Sequence, residues 1–161
     1  MTASRTLRLA LLASLVSCAA ALPPVPTIEG TTFASSLNVQ LSQSTRLPSG
    51  TYYRDLVPGT GAAVAAGKMV SANYTGWLAD GTQFGSNAGA AGFQFLDGAS
   101  PQQVISGWDI GLVGAQVGGT RQLIIPPDQG YGANGQYDQQ GNLVIPANSI
   151  LVFTVQIDSV Q

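Results

Sequence analysis

Val104-Ile105-Ser106-Gly107-Trp108-Asp109 sets the largest side chain available beside two β-branched apolar residues and a glycine. The Ser-x-x-Asp spacing predicts a helix start, with the Ser106 hydroxyl accepting from the Asp109 amide as an N-cap. Trp108 then falls in the first turn of a short helix. From there its indole can floor a pocket, with the amides of Val104 and Ile105 at the mouth. A lone tryptophan is more commonly a ring packed into a core, so its neighbours in the chain must decide between the two readings.

Outward from this stretch the chain alternates. Pro48-Ser49-Gly50 signals a turn, and Thr51 to Val57 reads as a strand that stops at Pro58-Gly59-Thr60-Gly61. In Met69 to Leu78, residues Val70, Ala72, Tyr74, Gly76 and Leu78 share one face of a second strand. Asp80-Gly81 supplies the chemistry of a two-residue hairpin turn, since both positions tolerate positive φ. The chain returns through Gln83-Phe84. Gly85 to Gly92 is a glycine-rich loop or bulge, and Phe93-Gln94-Phe95 resumes a strand. Thr120 to Ile125 is strand-like until Pro126-Pro127. Gln129 to Asn142 is polar, glycine-rich and too long for a simple hairpin turn, which marks it as functional or mobile. In the last strand Leu151, Phe153, Val155 and Ile157 point one way, and Val152, Thr154, Gln156 and Asp158 the other. Several alternating strands with one short helix predict an α+β domain over residues 47–161, a curled antiparallel β-sheet wrapped around one short α-helix. Its aromatic residues can converge on the face that holds the helix. A dry concave pocket with a few polar groups is the default ligand site.

Composition narrows the chemistry. The 161 residues include no His and one Cys, only 9% are charged, and the net charge is −2. No basic run exists to capture nucleic acid. Without an imidazole, Ser-His-Asp and Cys-His mechanisms fall away, as do most zinc sites. Neither a cofactor nor a metal is expected.

Arg5 and Arg8 precede the apolar run Leu9 to Val16, followed by small residues, the pattern of a secretory signal over residues 1–17. Cys18 follows Leu15-Val16-Ser17 and resembles the lipidated cysteine of a bacterial lipobox, which implies an acyl-anchored protein at the outer face of a membrane. Ordinary cleavage after Ala19-Ala20-Ala21 and a free secreted protein is the rival reading. Release of residues 1–17 takes two arginines away, leaving four cations against eight acids. Leu22-Pro23-Pro24-Val25-Pro26 is a stiff tether, because successive prolines remove amide donors and fix φ. With the Ser/Thr/Gln-rich stretch Thr27 to Arg46, it forms a partly ordered lead-in over residues 18–46.

Seven segments in register resemble the FKBP-type peptidyl-prolyl isomerase family over about the last two-thirds of the chain. They begin with Ser49-Gly50-Thr51-Tyr52-Tyr53-Arg54-Asp55 and Tyr74-Thr75-Gly76-Trp77-Leu78-Ala79-Asp80-Gly81. Val104-Ile105-Ser106-Gly107-Trp108, Ile125-Pro126-Pro127 and Tyr131-Gly132-Ala133 follow. Ile145-Pro146-Ala147-Asn148-Ser149 and Leu151-Val152-Phe153 close the series. The resemblance implies catalytic roles for Tyr74, Phe84, Ile105, Trp108, Tyr131 and Phe153, with Trp108 as floor. The Ile105 amide and the Tyr131 hydroxyl become donors to substrate carbonyls. Phe93, Val104, Val144 and Ile145 are the implied substrate-binding residues. For Phe93 and Phe153, core packing in alternating strands is an equal alternative.

Two departures stand out. The family's usual Asp directly after the Phe84 position is Gly85 here, with no charge in Asn87 to Gly92. The loop after Ala133, running Asn134 to Asn142, is longer than in compact members. The implied function is isomerisation of X–Pro bonds in proline-containing peptides and unfolded exported proteins, by a monomer without covalent chemistry. Macrolide inhibitors of the class the family binds are expected to bind with reduced affinity. The alternative is a proline-peptide-binding chaperone module with weak or no isomerase activity, and Gly85 motivates it. A third reading is a structural envelope lipoprotein.

Overall fold

The computed structural model describes residues 24–161; the expected signal segment and Cys18 lie outside the described residues. Among the described residues nine strands and four short 3-10 turns accompany one helix, and seven of the strands pair antiparallel in a single sheet. These are β1 (Thr45–Arg46), β2 (Tyr52–Val57), β3 (Met69–Leu78), β4 (Gln83–Ser86), β5 (Phe93–Leu96), β6 (Thr120–Ile125) and a last strand, Leu151–Val160. Between them come the helix α1 (Ser106–Gly111) and a separate hairpin of β7 (Gln136–Tyr137) and β8 (Leu143–Ile145), which makes the last strand β9. The order across the main sheet is β1-β2-β6-β9-β3-β4, and β5 also pairs with β3, whose one edge is shared between β4 and β5. A curled antiparallel sheet with one short helix is the expected fold class.

The period-two pattern of β9 sets its central place. Leu151, Phe153, Val155 and Ile157 enter the main core beneath α1, with Leu123 and Ile125 of β6 and Val70 and Ala72 of β3. The helix lies tight on β6 because two glycines one turn apart face it. A Cβ on Gly107 would run into Ile125, and one on Gly111 would sit 2.9 Å from Leu123 Cδ2. Arg121, whose side chain is 5% exposed, ties the end of this helix to β2. Its guanidinium donates to the Gly111 and Val113 carbonyls and to both oxygens of Asp55, and it lies over the Tyr53 ring at 4.3 Å.

The far face of the sheet carries a second core that the alternating pattern does not announce. Tyr52, Ile124 and Val152 are buried there under Ile28 and Leu37 of the lead-in, with Phe33 and Trp77 packed against them. Glu29 accepts from the Tyr52 hydroxyl at 2.7 Å and pairs with Arg46, while Gln122 donates to the Leu37 carbonyl. Thr27 to Arg46 is therefore seated on the sheet by isolated apolar anchors, which leave no period in the sequence.

Two local expectations are corrected. The helix N-cap is Ile105, not Ser106: the Ser106 hydroxyl and the Asp109 carboxylate are both taken by Gln102 Nε2, and Asp109 also accepts from the Gly98 amide. A nearby loop has claimed the capping groups, and the Trp108 and Asp109 amides turn instead to the Ile105 carbonyl. The hairpin after β3 has three residues between Leu78 and Thr82, with only Gly81 at positive φ; Asp80 accepts from the Thr82 amide. The polar stretch Gln129 to Asn142 contributes β7 to a hairpin with β8.

Candidate active site

Gly76 opens the site. On β3 its missing side chain leaves room for two rings, since a Cβ there would lie 2.7 Å from Phe84 and 2.8 Å from Phe153. The rings of Phe84 and Phe153 meet edge-to-face at 5.4 Å. Phe153 also meets the Trp108 indole at 5.3 Å and 85°. Tyr74, two residues before Gly76, contacts the indole from another side at 5.2 Å and 84°. Phe95 and Phe93 complete the surround at 5.6 and 6.2 Å. Edge-to-face contacts of this kind favour ring pairs beyond the area they bury. Trp108 is 4% exposed, held from below by core residues, with its Nε1–H buried and lacking an acceptor.

Above the indole lies a cavity of about 600 Å³. All six residues implied as catalytic line it, and so do the four implied as substrate-binding. β3 and β4 bring Tyr74 and Phe84, and β9 brings Phe153. β5 brings Phe93, α1 with its approach brings Val104, Ile105 and Trp108, and β8 brings Val144 and Ile145. Phe153 is both packed in the core and cavity-facing, whereas Phe93 is 40% exposed and lines the cavity outside the buried core. Cys18, the expected lipid attachment position, lies outside the described residues.

Two polar groups face this apolar floor. The Ile105 carbonyl is engaged within α1, but its amide has no intramolecular acceptor among the described residues. The Tyr131 hydroxyl has its pKa raised by burial and then by the nearby Tyr74. It therefore stays a neutral donor throughout the physiological range. Gly85 lines the wall with open space: a Cβ there would meet only Tyr74 Cε2 at 3.9 Å. The missing carboxylate is a change of chemistry, not a result of crowding.

Sequence reasoning missed a polar part of the wall. Gln102, Gln103 and Ser106 line the cavity from the approach to α1, and Gln136, Tyr137 and Asp138 from the β7 side. Tyr137 is 56% exposed in a polar segment, and only the pairing of β7 with β8 brings it to the rim. Among the described residues no group of His, Cys, Asp and Glu converges to hold a metal ion. No helix among them is long and apolar enough to cross a membrane.

The family model described as FKBP-type peptidyl-prolyl cis-trans isomerase matches residues 61–158. The FK506-binding protein of Neisseria meningitidis serogroup B is 38% identical over 115 residues, covering 67% of this chain and 94% of that protein. FK506-binding protein 4 of Dictyostelium discoideum is 42% identical over 113 residues, covering 70% of this chain and 29% of that protein. The chain spans only 19–29% of the length of such larger eukaryotic relatives. Among solved structures, a peptidyl-prolyl cis-trans isomerase of Pseudomonas syringae superposes with a TM-score of 0.65 at 30% identity, over 79% of this chain and 86% of that one.

Proposed function

This chain belongs to the FKBP-type peptidyl-prolyl cis-trans isomerase family, and we propose that it speeds rotation about X–Pro bonds in the cavity over Trp108. One observation carries the reading: a ring-lined chamber whose mouth holds a free amide and a neutral hydroxyl.

Rotating a peptide bond costs about 18–20 kcal/mol because resonance is lost on the way. In the twisted state the nitrogen is pyramidal and the carbonyl less polarised. An apolar chamber disfavours the planar, strongly dipolar ground state more than the twisted one, and that difference lowers the barrier. Exclusion of water contributes to the same end. The Ile105 amide and Tyr131 hydroxyl would hold carbonyls on the flanks of the proline, so that one side rotates against a fixed other. The step needs no nucleophile and no proton transfer, which suits a chain without histidine.

The clients are proline-containing segments of unfolded proteins. Arg5, Arg8, the run Leu9 to Val16 and Cys18 support an exported, lipid-anchored setting for them. Macrolides of the FK506 type would occupy the same chamber, weakened by the missing carboxylate at Gly85.

Exchange spectroscopy on an Ala-Pro tetrapeptide tests the reading. Catalysed exchange is expected, with kcat/KM falling about three- to tenfold in Tyr131→Phe, the effect of one lost hydrogen bond. Peptide binding without faster exchange would instead identify a proline-binding module. Absence of both would leave a structural envelope protein.

A further inference from the structure

From the one charged side chain on the cavity wall, we infer that Asp138 selects peptides carrying a lysine or arginine beside the proline. This rests on the cavity being the peptide site. Among the described residues, every other lining group is apolar, a glycine, or a neutral polar side chain.

The carboxylate is held in place from its own loop. Asp138 opens the tip of the β7–β8 hairpin, where its Oδ1 accepts from the Gln140 and Asn142 amides at 2.9 and 2.8 Å. Its Oδ2 accepts from the Asn142 side chain at 2.9 Å. These bonds, the side-chain one first, lower its pKa, so it is charged at neutral pH. Because all the donors are neutral, the negative charge remains uncompensated.

The described cations are engaged elsewhere. Arg121 is buried against Asp55, Arg46 pairs with Glu29, and Arg54 donates to Gln43 and the Asn38 carbonyl. Lys68 immediately precedes β3 and does not line the cavity. Among the described residues, a peptide in the chamber therefore meets a single fixed charge on its walls. Proline itself belongs on the apolar floor, so the charge at the rim acts on a flanking residue. The tip lies in the segment that makes the loop after Ala133 long, so its charge is a feature of this chain's own rim.

The test uses two peptide series, Ala-Xaa-Pro-Phe and Ala-Ala-Pro-Xaa, with Xaa as Lys, Ala or Glu. Exchange spectroscopy gives kcat/KM, and chemical-shift titration of the same samples gives Kd. The Lys peptide is expected to exceed the Glu peptide by about two- to fivefold in at least one series, the range a solvent-facing ion pair supplies. Asp138→Asn keeps an oxygen for the two loop amides and should bring the ratio to about one. Raising salt to about 0.5 M should shrink the wild-type ratio in the same way, a check that needs no variant. Equal Lys and Glu values in both series would overturn the proposal, as would a preference that survives Asp138→Asn or high salt. If the Ala peptide is bound but not accelerated, the isomerase reading fails, and the Lys/Glu ratio of Kd decides the charge selection by the same criteria.

Discussion

The two faces of the main sheet are built from the same strands and end differently. On the helix face, β3, β6 and β9 send large rings and branched side chains against a helix of six residues. So short a helix covers only part of the sheet, and the uncovered part is the chamber. On the far face the lead-in lies across the strands, and Ile28 and Leu37 are buried against Ile124 and Val152. A sheet face thus becomes a site where its cover is incomplete and its side chains are stiff enough to stand without one. Rings braced edge-to-face by Trp108 meet that requirement; the far face, with Ile124 and Val152 at its centre, is closed by the lead-in.

The sharpest way to break this contrast is at the brace. Trp108→Ala should cost about 3–5 kcal/mol of stability and lower kcat/KM by at least about tenfold. Urea unfolding and peptide exchange measure the two effects. Retained activity would mean that the rings do not depend on the indole. An intermediate effect is expected from the far face. Leu37→Ala should cost about 2–3 kcal/mol while the native protein keeps its kcat/KM. A loss of activity beyond the unfolded fraction would show that the two faces are coupled.

The smallest effect sharpens the contrast through buried polar groups. On the far face Gln122 donates to the Leu37 carbonyl and leaves only a neutral amide oxygen without a partner, whereas Asp97, 1% exposed just after β5, leaves a buried carboxyl oxygen without one. Burial, and secondarily the charge of Asp109, push the Asp97 pKa up to about 6 from 3.8. A raised carboxyl pKa means that the folded state binds the proton more tightly than the unfolded chain. Its stabilising contribution is complete below the unfolded value, is lost as pH rises from 3.8 through about 6, and is absent above. Asp97→Asn should therefore match the wild type in acid and exceed it above that window by about 1–2 kcal/mol, after allowing for solvent screening. Denaturant midpoints at pH 4 and 7 check this; an equal difference at both would remove the carboxyl as the cause.

Much of this was legible in the chain, for local reasons. β3 and β9 follow from alternation, β6 from an apolar run stopped by Pro126-Pro127, and Trp108 from the helix expected after Ile105. The register of seven short motifs carried the ring-lined chamber. What stayed hidden depended on contacts distant in sequence. Ser106 and Asp109 have the spacing of a capping pair, but Gln102 competes for both. Ile28 and Leu37 look like stray apolar residues until the sheet's far face is present to receive them. Tyr137 and Asp138 reach the chamber only because β8 folds back on β7, and no periodicity marks two strands of two and three residues.

The β7–β8 hairpin shares no strand pairing with the seven-stranded sheet. Residues between Tyr137 and Leu143 can accordingly be exchanged, added or removed without moving any rung of the main ladder. The rim is in effect an interchangeable nozzle on a fixed chamber. Under the proposed charge selection, substitutions at that tip would retune which peptides enter while the ring-lined floor beneath stays as it is.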